Sequence, residues 1–336
     1  MVTKLLLIGG EKMKNKTQRF ISLCALVIGC IILFLIFAPV SNAQDRLNLT
    51  IAKLKAGQPV FGIISMNRNM WNARALGSSK LDYIIYDVEH LLPFDMENFR
   101  QYLQSIKNPD GKFKVTPFIR VGPNGSEIKY NQWVVKQALD MGAMGIMFPH
   151  VDTKQQAYEA VVAMRYPPLK ESPYQEPRGE RGWAPLYAAG TWGISPVEYT
   201  KKRADLWPLN PDGELLSIIQ IESKKAVENL EEILSVPGIG AIFIGPADLQ
   251  CDLGYCGQGT TMPGVGALSA ATVLPEAEEL IQRVLAICKR RNVPVGITTS
   301  SLDAVQRVKQ GFNLPIIGTD VGLTADTAKC LELLGR

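Results

Sequence analysis

The sequence predicts an α/β fold, a (β/α)8 barrel (TIM barrel) behind an apolar N-terminal segment. Three observations predict it. First, eight short β-rich runs recur after about residue 50. Each is nearly continuous in apolar residues, as in YIIYDVE, GIMFPHV, IIQIE and AIFIGPAD. Strands buried on both faces of a parallel sheet read this way. Second, amphipathic stretches separate the runs. Third, eight such units fill about 280 residues, the usual size of a barrel. An open doubly wound sheet would want a Gly-rich phosphate turn after its first strand. Gly-Ile-Ile-Ser-Met-Asn after Phe61 supplies none.

The N-terminal segment, residues 1–43, stands apart from the barrel, residues 44–336. Lys14, Lys16 and Arg19 precede an apolar run from Phe20 to Val40, and Ser41-Asn42-Ala43 follows. Small residues three and one before a cut at Gln44 give the layout of a secretory signal peptide. The run is also long enough to stay in a bilayer as an uncleaved anchor. Either way the barrel is expected to be exported, periplasmic or secreted, with residues 20–40 as its only membrane contact. The net charge of +4 belongs to this segment, which holds Lys4, Lys12, Lys14, Lys16 and Arg19 against Glu11. The barrel is therefore neutral overall and has no basic stripe, which excludes nucleic-acid binding. Of the six cysteines, Cys24 and Cys30 fall in the segment. Cys251 and Cys256, five apart, are either a disulfide of an oxidising compartment or two free thiols. No CxxC pair offers a cysteine zinc site.

The eight runs are Val60–Met66, Tyr83–Glu89, Val115–Val121, Gly145–Val151, Leu216–Glu222, Ala241–Asp248, Val293–Ser300 and Leu314–Val321. Helical spacing marks Asn131–Met141, Thr153–Arg165, Ser223–Leu234 and Ala277–Arg290. Two stretches break the rhythm. Tyr166–Asn210 is rich in Pro, Gly, Trp and Tyr, and reads as a functional loop or lid at the pocket mouth, or as a packing arm against a sister subunit. Cys251–Pro275, Gly-, Ser- and Thr-rich, reads as a surface loop.

Barrel enzymes place their chemistry at the carboxyl ends of the strands. Polar residues gather there: Asp87, Glu89 and His90 after the second run, Arg120 after the third, His150 after the fourth. Gln220 and Glu222 close the fifth, Asp248 the sixth, and Asp320 the eighth. Glu222 and Asp248 are one β/α unit apart, so neighbouring strands would set them side by side. Two carboxylates and water suit a hard cation such as Mg²⁺ or Mn²⁺ and leave positions open for a chelating substrate. The plainer alternative is that each caps a helix. His90, with Asp87 three residues before it, reads as a base oriented by a carboxylate or as a strand-end histidine bonded to backbone. Arg120 at the end of an apolar strand needs an anion, either a substrate or Asp87. His150 reads as pocket lining.

These segments together resemble a known family. Asp87-Val88-Glu89-His90, Phe118-Ile119-Arg120-Val121, Ala138 to Ala143 and Phe148-Pro149-His150-Val151-Asp152-Thr153 look like its first half. Arg165-Tyr166-Pro167-Pro168, Gln220-Ile221-Glu222 and Gly245-Pro246-Ala247-Asp248-Leu249 continue it. The chain is similar, over roughly residues 50–330, to the HpcH/HpaI aldolase/citrate lyase family of the phosphoenolpyruvate/pyruvate barrel superfamily. The resemblance implies metal-dependent (class II) cleavage of a 4-hydroxy-2-oxo acid to pyruvate and an aldehyde. It implies Mg²⁺, Mn²⁺ or Co²⁺ held by Glu222 and Asp248. His90 becomes the acid/base element beside Asp87, and Arg120 the group that steadies the enolate. Gln220 would touch metal-bound water, with Ala247 lining the substrate site. Asp140 would reach a neighbouring subunit's site, implying a homo-oligomer, hexamer or trimer. Two other outcomes stay open: a lyase for citrate- or malyl-CoA-type substrates, and an exported oxo-acid binder without turnover. Leu169–Pro177 interrupts the family's Tyr-Pro-Pro-x-Gly-x-Arg-Gly run, which leaves either Arg178 or Arg181 as its arginine.

Overall fold

The computed structural model of the chain describes residues 46–90, 92–256, 273–301, 303–320, 331, 332 and 335. The signal or anchor expected in residues 1–43 lies outside these, as do Val321 and most of the expected surface loop after Cys256. Among the described residues no helix is long and apolar enough to cross a membrane.

Eight parallel strands close on themselves: β1 (Gly62–Ser65), β2 (Tyr83–Asp87), β3 (Thr116–Arg120), β4 (Gly145–Phe148), β5 (Leu215–Ile221), β6 (Ala241–Ile244), β7 (Val295–Thr298) and β8 (Leu314–Thr319). β1 pairs with β8 through Gly62↔Ile316, and β4 pairs with β5 from Gly145↔Leu216 to Phe148↔Ile219, so no edge is left open. All eight expected runs hold strands. The strands end one to four residues short of the expected runs, because apolar turn residues prolong the pattern. The clearest case is β6: it stops at Ile244, and Pro246–Asp252 is a helix with Pro at its first positions. Asp248 therefore sits on a helical turn, not on a strand. All seven residues of β5 are buried, at roughly 1.5–3 kcal/mol for each large aliphatic side chain taken from water.

The helices are where spacing put them, with one break. Thr153 starts Lys154–Met164 with a capping box shared with Gln156. Pro275–Arg291 carries acids in its first turn and Lys289, Arg290 and Arg291 in its last, matching the helix dipole. The stretch expected as Ser223–Leu234 divides at Asn229 into Lys224–Glu228 and Leu230–Ile233.

A helix that periodicity did not single out, Leu49–Lys55, closes the amino-terminal end of the barrel. Its N-cap Asn48 donates to the carbonyls of Met144 and Glu214, at the starts of β4 and β5. Thr50 reaches Thr116 Oγ1 at 2.9 Å, at the start of β3. The stretch Tyr166–Asn210 is at this same end, which corrects the expectation of a lid. It joins the foot of Lys154–Met164 to β5, and a connection from helix to strand lies opposite the catalytic rim. Its helix Leu186–Trp192 packs on the foot of Gln132–Met141, where Trp192 Nε1 donates to Gly142 O at 2.9 Å. A two-residue strand, Leu206–Trp207, adds to β5 outside the barrel.

Candidate active site

Parallel register sets the first pair. Asp87 and Arg120 end β2 and β3 and stand directly across from each other. The guanidinium grips the carboxylate with two bonds, Nε to Oδ1 at 2.9 Å and Nη2 to Oδ2 at 2.8 Å. Both side chains are buried, and a buried guanidinium without an anion would be strongly destabilising. Asp87 thus serves Arg120. The carboxylate beside His90 is Glu89, whose Oε2 lies 3.4 Å from His90 Nε2 and 2.9 Å from Arg120 Nη1. The second contact is an ion pair without hydrogen-bond alignment, since Glu89 Oε2 has no hydrogen-bond partner. His90 itself is half exposed, its side chain at 53%.

The second group is built around Glu222. Gln220 and Glu222 are two apart at the end of β5, so they share a face. Gln220 Nε2 donates to Glu222 Oε1. The backbone N–H of His150 donates to Oε2 at 3.1 Å, from a residue held at φ 49°. That left-handed backbone costs a non-glycine residue on the order of 1 kcal/mol, and here it turns the N–H toward Glu222. His150 Nδ1 also comes within 3.7 Å of Oε2, so His150 does more than line the pocket. Gly245 makes room: a Cβ there would lie 2.1 Å from Glu222 Oε1. Asp248 follows in the first turn of Pro246–Asp252, partly exposed, with Ala247 exposed beside it.

Charge at this rim is unbalanced. Burial first, then the charges of Asp248 and Glu89, push the Glu222 carboxyl well above the usual carboxylate range, against the pull of the His150 N–H and Arg120. Burial likewise pushes Glu89 up to about 7. Arg120 opposes the rise, while Asp87 and Asp248 add to it. Glu89 and Glu222 are therefore both held toward their protonated forms, with Arg120 as the cation beside them. A divalent cation would relieve that repulsion. The donor set fits a hard metal. The oxygens are carboxylate, Gln220 Oε1 is buried without a partner, and no lysine stands on any of the eight strands. Among the described residues no three His, Cys, Asp or Glu side chains enclose one point. A cation here would have Glu222 and Asp248 as protein ligands, with its other positions left to substrate and water.

Two residues lie elsewhere. Asp320 accepts from Ser65 Oγ at 2.7 Å, from the N–H groups of Met66 and Asn67, and from Asn72 Nδ2, and so clamps the loop after β1. Asp140 lies at the foot of Gln132–Met141, at the barrel's other end from this rim. Arg181 Nη2 holds it at 2.7 Å, with the guanidinium 4.3 Å over the Tyr166 ring. Arg181 is buried and Arg178 is exposed, so Arg181 is the structural arginine of that run. A cleft of about 330 Å³ is also formed at that end, by Tyr166 to Tyr174 and Thr200 to Asp212. Its Arg165 is already spent on Asp205 and two backbone carbonyls, while Glu89 and Glu222, with their raised carboxyls, stand at the other rim. The residue that sequence reasoning left without a role is Glu89. A buried acid between an arginine and a histidine was the available signal.

A family model for HpcH/HpaI aldolase/citrate lyase matches residues 64–326. The chain belongs to the HpcH/HpaI aldolase/citrate lyase family. It is 30% identical over 286 residues, 85% of this chain and 96% of the relative, to a hydroxypyruvate/pyruvate aldolase of Roseobacter denitrificans. It is 29% identical, over 84% of this chain and 93% of the relative, to a 2-dehydro-3,6-dideoxy-6-sulfogluconate aldolase of Pseudomonas putida. Among solved structures, an HpcH/HpaI aldolase/citrate lyase family protein from Burkholderia cenocepacia matches at TM-score 0.65 and 29% identity, over 86% of this chain and 99% of that one. As a member of this family, the protein is a carbon–carbon lyase of the aldolase type.

Proposed function

We propose that the rim of this barrel cleaves a 4-hydroxy-2-oxo acid to pyruvate and an aldehyde, dependent on a divalent cation held by Glu222 and Asp248. The observation that carries the reading is Glu222, its carboxyl raised first by burial and then by Asp248 and Glu89, with no lysine on the strands to form a Schiff base instead. When bound, Mg²⁺, Mn²⁺ or Co²⁺ would polarise the 2-oxo group and stabilise the negative charge that cleavage leaves on the pyruvate half. Arg120, locked by Asp87, adds a fixed positive charge at the same place without reorganisation. His90 takes the proton of the 4-hydroxyl as the carbon–carbon bond breaks. With Nε2 toward Glu89, Nδ1 is the nitrogen open to that hydroxyl.

Asp140 is too far from its own rim to serve it, so a catalytic part for Asp140 requires a neighbouring subunit in a homo-oligomer, a trimer or hexamer. The exposed Trp183, Leu186 and Tyr187 near Arg181 support such a contact. The disulfide between Cys251 and Cys256 supports export to an oxidising compartment.

A panel of 4-hydroxy-2-oxo acids, assayed for pyruvate release, tests the reaction. Activity should vanish with a chelator and return with Mg²⁺, Mn²⁺ or Co²⁺. Release that survives exhaustive chelation, or that Glu222→Ala leaves intact, contradicts it.

A further inference from the structure

The helix that carries Asp248 is short, and what fixes it acts mainly on its last turn. Pro246–Asp252 has seven residues, too few to be stable alone. Gly245 offers no side-chain cap. The last turn, by contrast, is tied to three segments. Asp252 Oδ2 accepts the N–H of Lys224 at 2.8 Å, two residues beyond Glu222. Gln250, fully buried, accepts the N–H of Leu274 at 2.6 Å through Oε1. Cys251 is bonded to Cys256. Inside that ring the chain doubles back. Gly254, at φ 88°, donates to Cys251 O at 3.0 Å, and Tyr255 donates to Gln250 O at 2.8 Å. The chain then runs through residues 257–272 and returns at Val273 and Leu274, against Gln250.

We propose that the Cys251–Cys256 cystine is a positioning element of the active site. It locks the last turn of this helix, and so keeps Asp248 set toward Glu222. The inference rests on the reading of Glu222 and Asp248 as the cation ligands. Asp248 is three residues, less than one helical turn, from Cys251, so fraying from the last turn reaches it at once. A covalent ring over six residues removes the open forms of that turn. Both cysteines are exposed, so a soluble dithiol can reach them. Reduction breaks the Sγ–Sγ bond with two electrons and two protons, leaving two thiols, and the dithiol closes to its own disulfide. The buried Cys288 thiol, pushed up to about 12 by burial, takes no part. The site is thus tightest under oxidising conditions and slackens under reducing ones.

Three preparations of the full chain test this: the oxidised protein, the same protein reduced after folding, and Cys251→Ser/Cys256→Ser. Each is measured metal-free for amide hydrogen exchange over residues 247–252, and then for Mn²⁺ affinity by calorimetry. The expected result is exchange at least ten-fold faster in that helix, unchanged in β2, and Mn²⁺ affinity weaker by about ten-fold. Reduction after folding shows that any loss is not misfolding of the variant. Equal exchange and equal Mn²⁺ affinity in all three preparations overturn the proposal, as does faster exchange with unchanged affinity. Cysteines 251 and 256 that alkylate without reductant overturn it as well. Failure of the oxidised protein to bind Mn²⁺ at all, with the exchange difference present, instead overturns the ligand reading and leaves the restraint on the helix standing.

Discussion

At the scale of single residues, the site is a set of acids placed too close together to be comfortable without a cation. Glu222→Gln removes one of them and keeps the shape. The metal-free variant is therefore expected to melt a few degrees higher than the parent at pH 8 while losing Mn²⁺ binding and pyruvate release, checked by calorimetry on both. The pH dependence of the metal-free protein has a definite sign. Glu89 rises from 4.5 in the unfolded chain to about 7 in the fold, so its share of stability is present below pH 4.5 and is lost as pH rises through about 7. Unfolding by denaturant should cost more at pH 5 than at pH 8, by up to about 3 kcal/mol from this group. Saturating Mn²⁺ should shrink that difference. Arg120→Lys keeps a charge but loses the two-bond grip of Asp87. A kcat fall on the order of 100-fold is expected, with a smaller change in KM.

At the scale of elements, the turn between β6 and Pro246–Asp252 is the most exacting. Gly245→Ala puts a methyl against Glu222 Oε1 in a segment whose backbone any residue can adopt. The fold should survive and Mn²⁺ affinity drop by roughly 10–100-fold, the usual effect of disturbing what orients a ligand. Eight strands were legible in the sequence because parallel barrel staves are apolar on both faces, a signal that needs no partner strand to be read. Their ends were not, because Phe-Pro-His-Val after β4 and Gly-Pro-Ala-Asp after β6 stay apolar while the backbone has already left the sheet. Gln220, Glu222, Arg120 and Asp87 could be placed from strand ends alone. The partner of His90 could not, since three-residue spacing names Asp87 while register across β2 and β3 gives Asp87 to Arg120. The long stretch Tyr166–Asn210 was visible as irregular. Its end of the barrel follows from connectivity, not from composition.

At the scale of the whole molecule, two ends do different work. The amino-terminal end is closed by Leu49–Lys55 and held by Glu214, whose buried carboxylate accepts the N–H groups of Leu47 and Asn48 and lies against Arg46 and Arg203. Glu214→Ala leaves those cations and donors without their anion. Stability should fall by about 3 kcal/mol with the kinetic constants of the surviving folded protein unchanged, because the proposed site stands at the other end. The carboxyl-terminal rim holds Glu89, Glu222, Asp248, the arginine and the half-exposed histidine.

The most direct measurement is the anomalous scattering of Mn²⁺ in crystals grown with pyruvate. The account puts one peak within bonding distance of both Glu222 and Asp248, with the 2-oxo group and carboxylate of pyruvate completing its coordination and Arg120 facing the same oxygen. A peak remote from either carboxylate, or pyruvate bound with no metal contact, contradicts it.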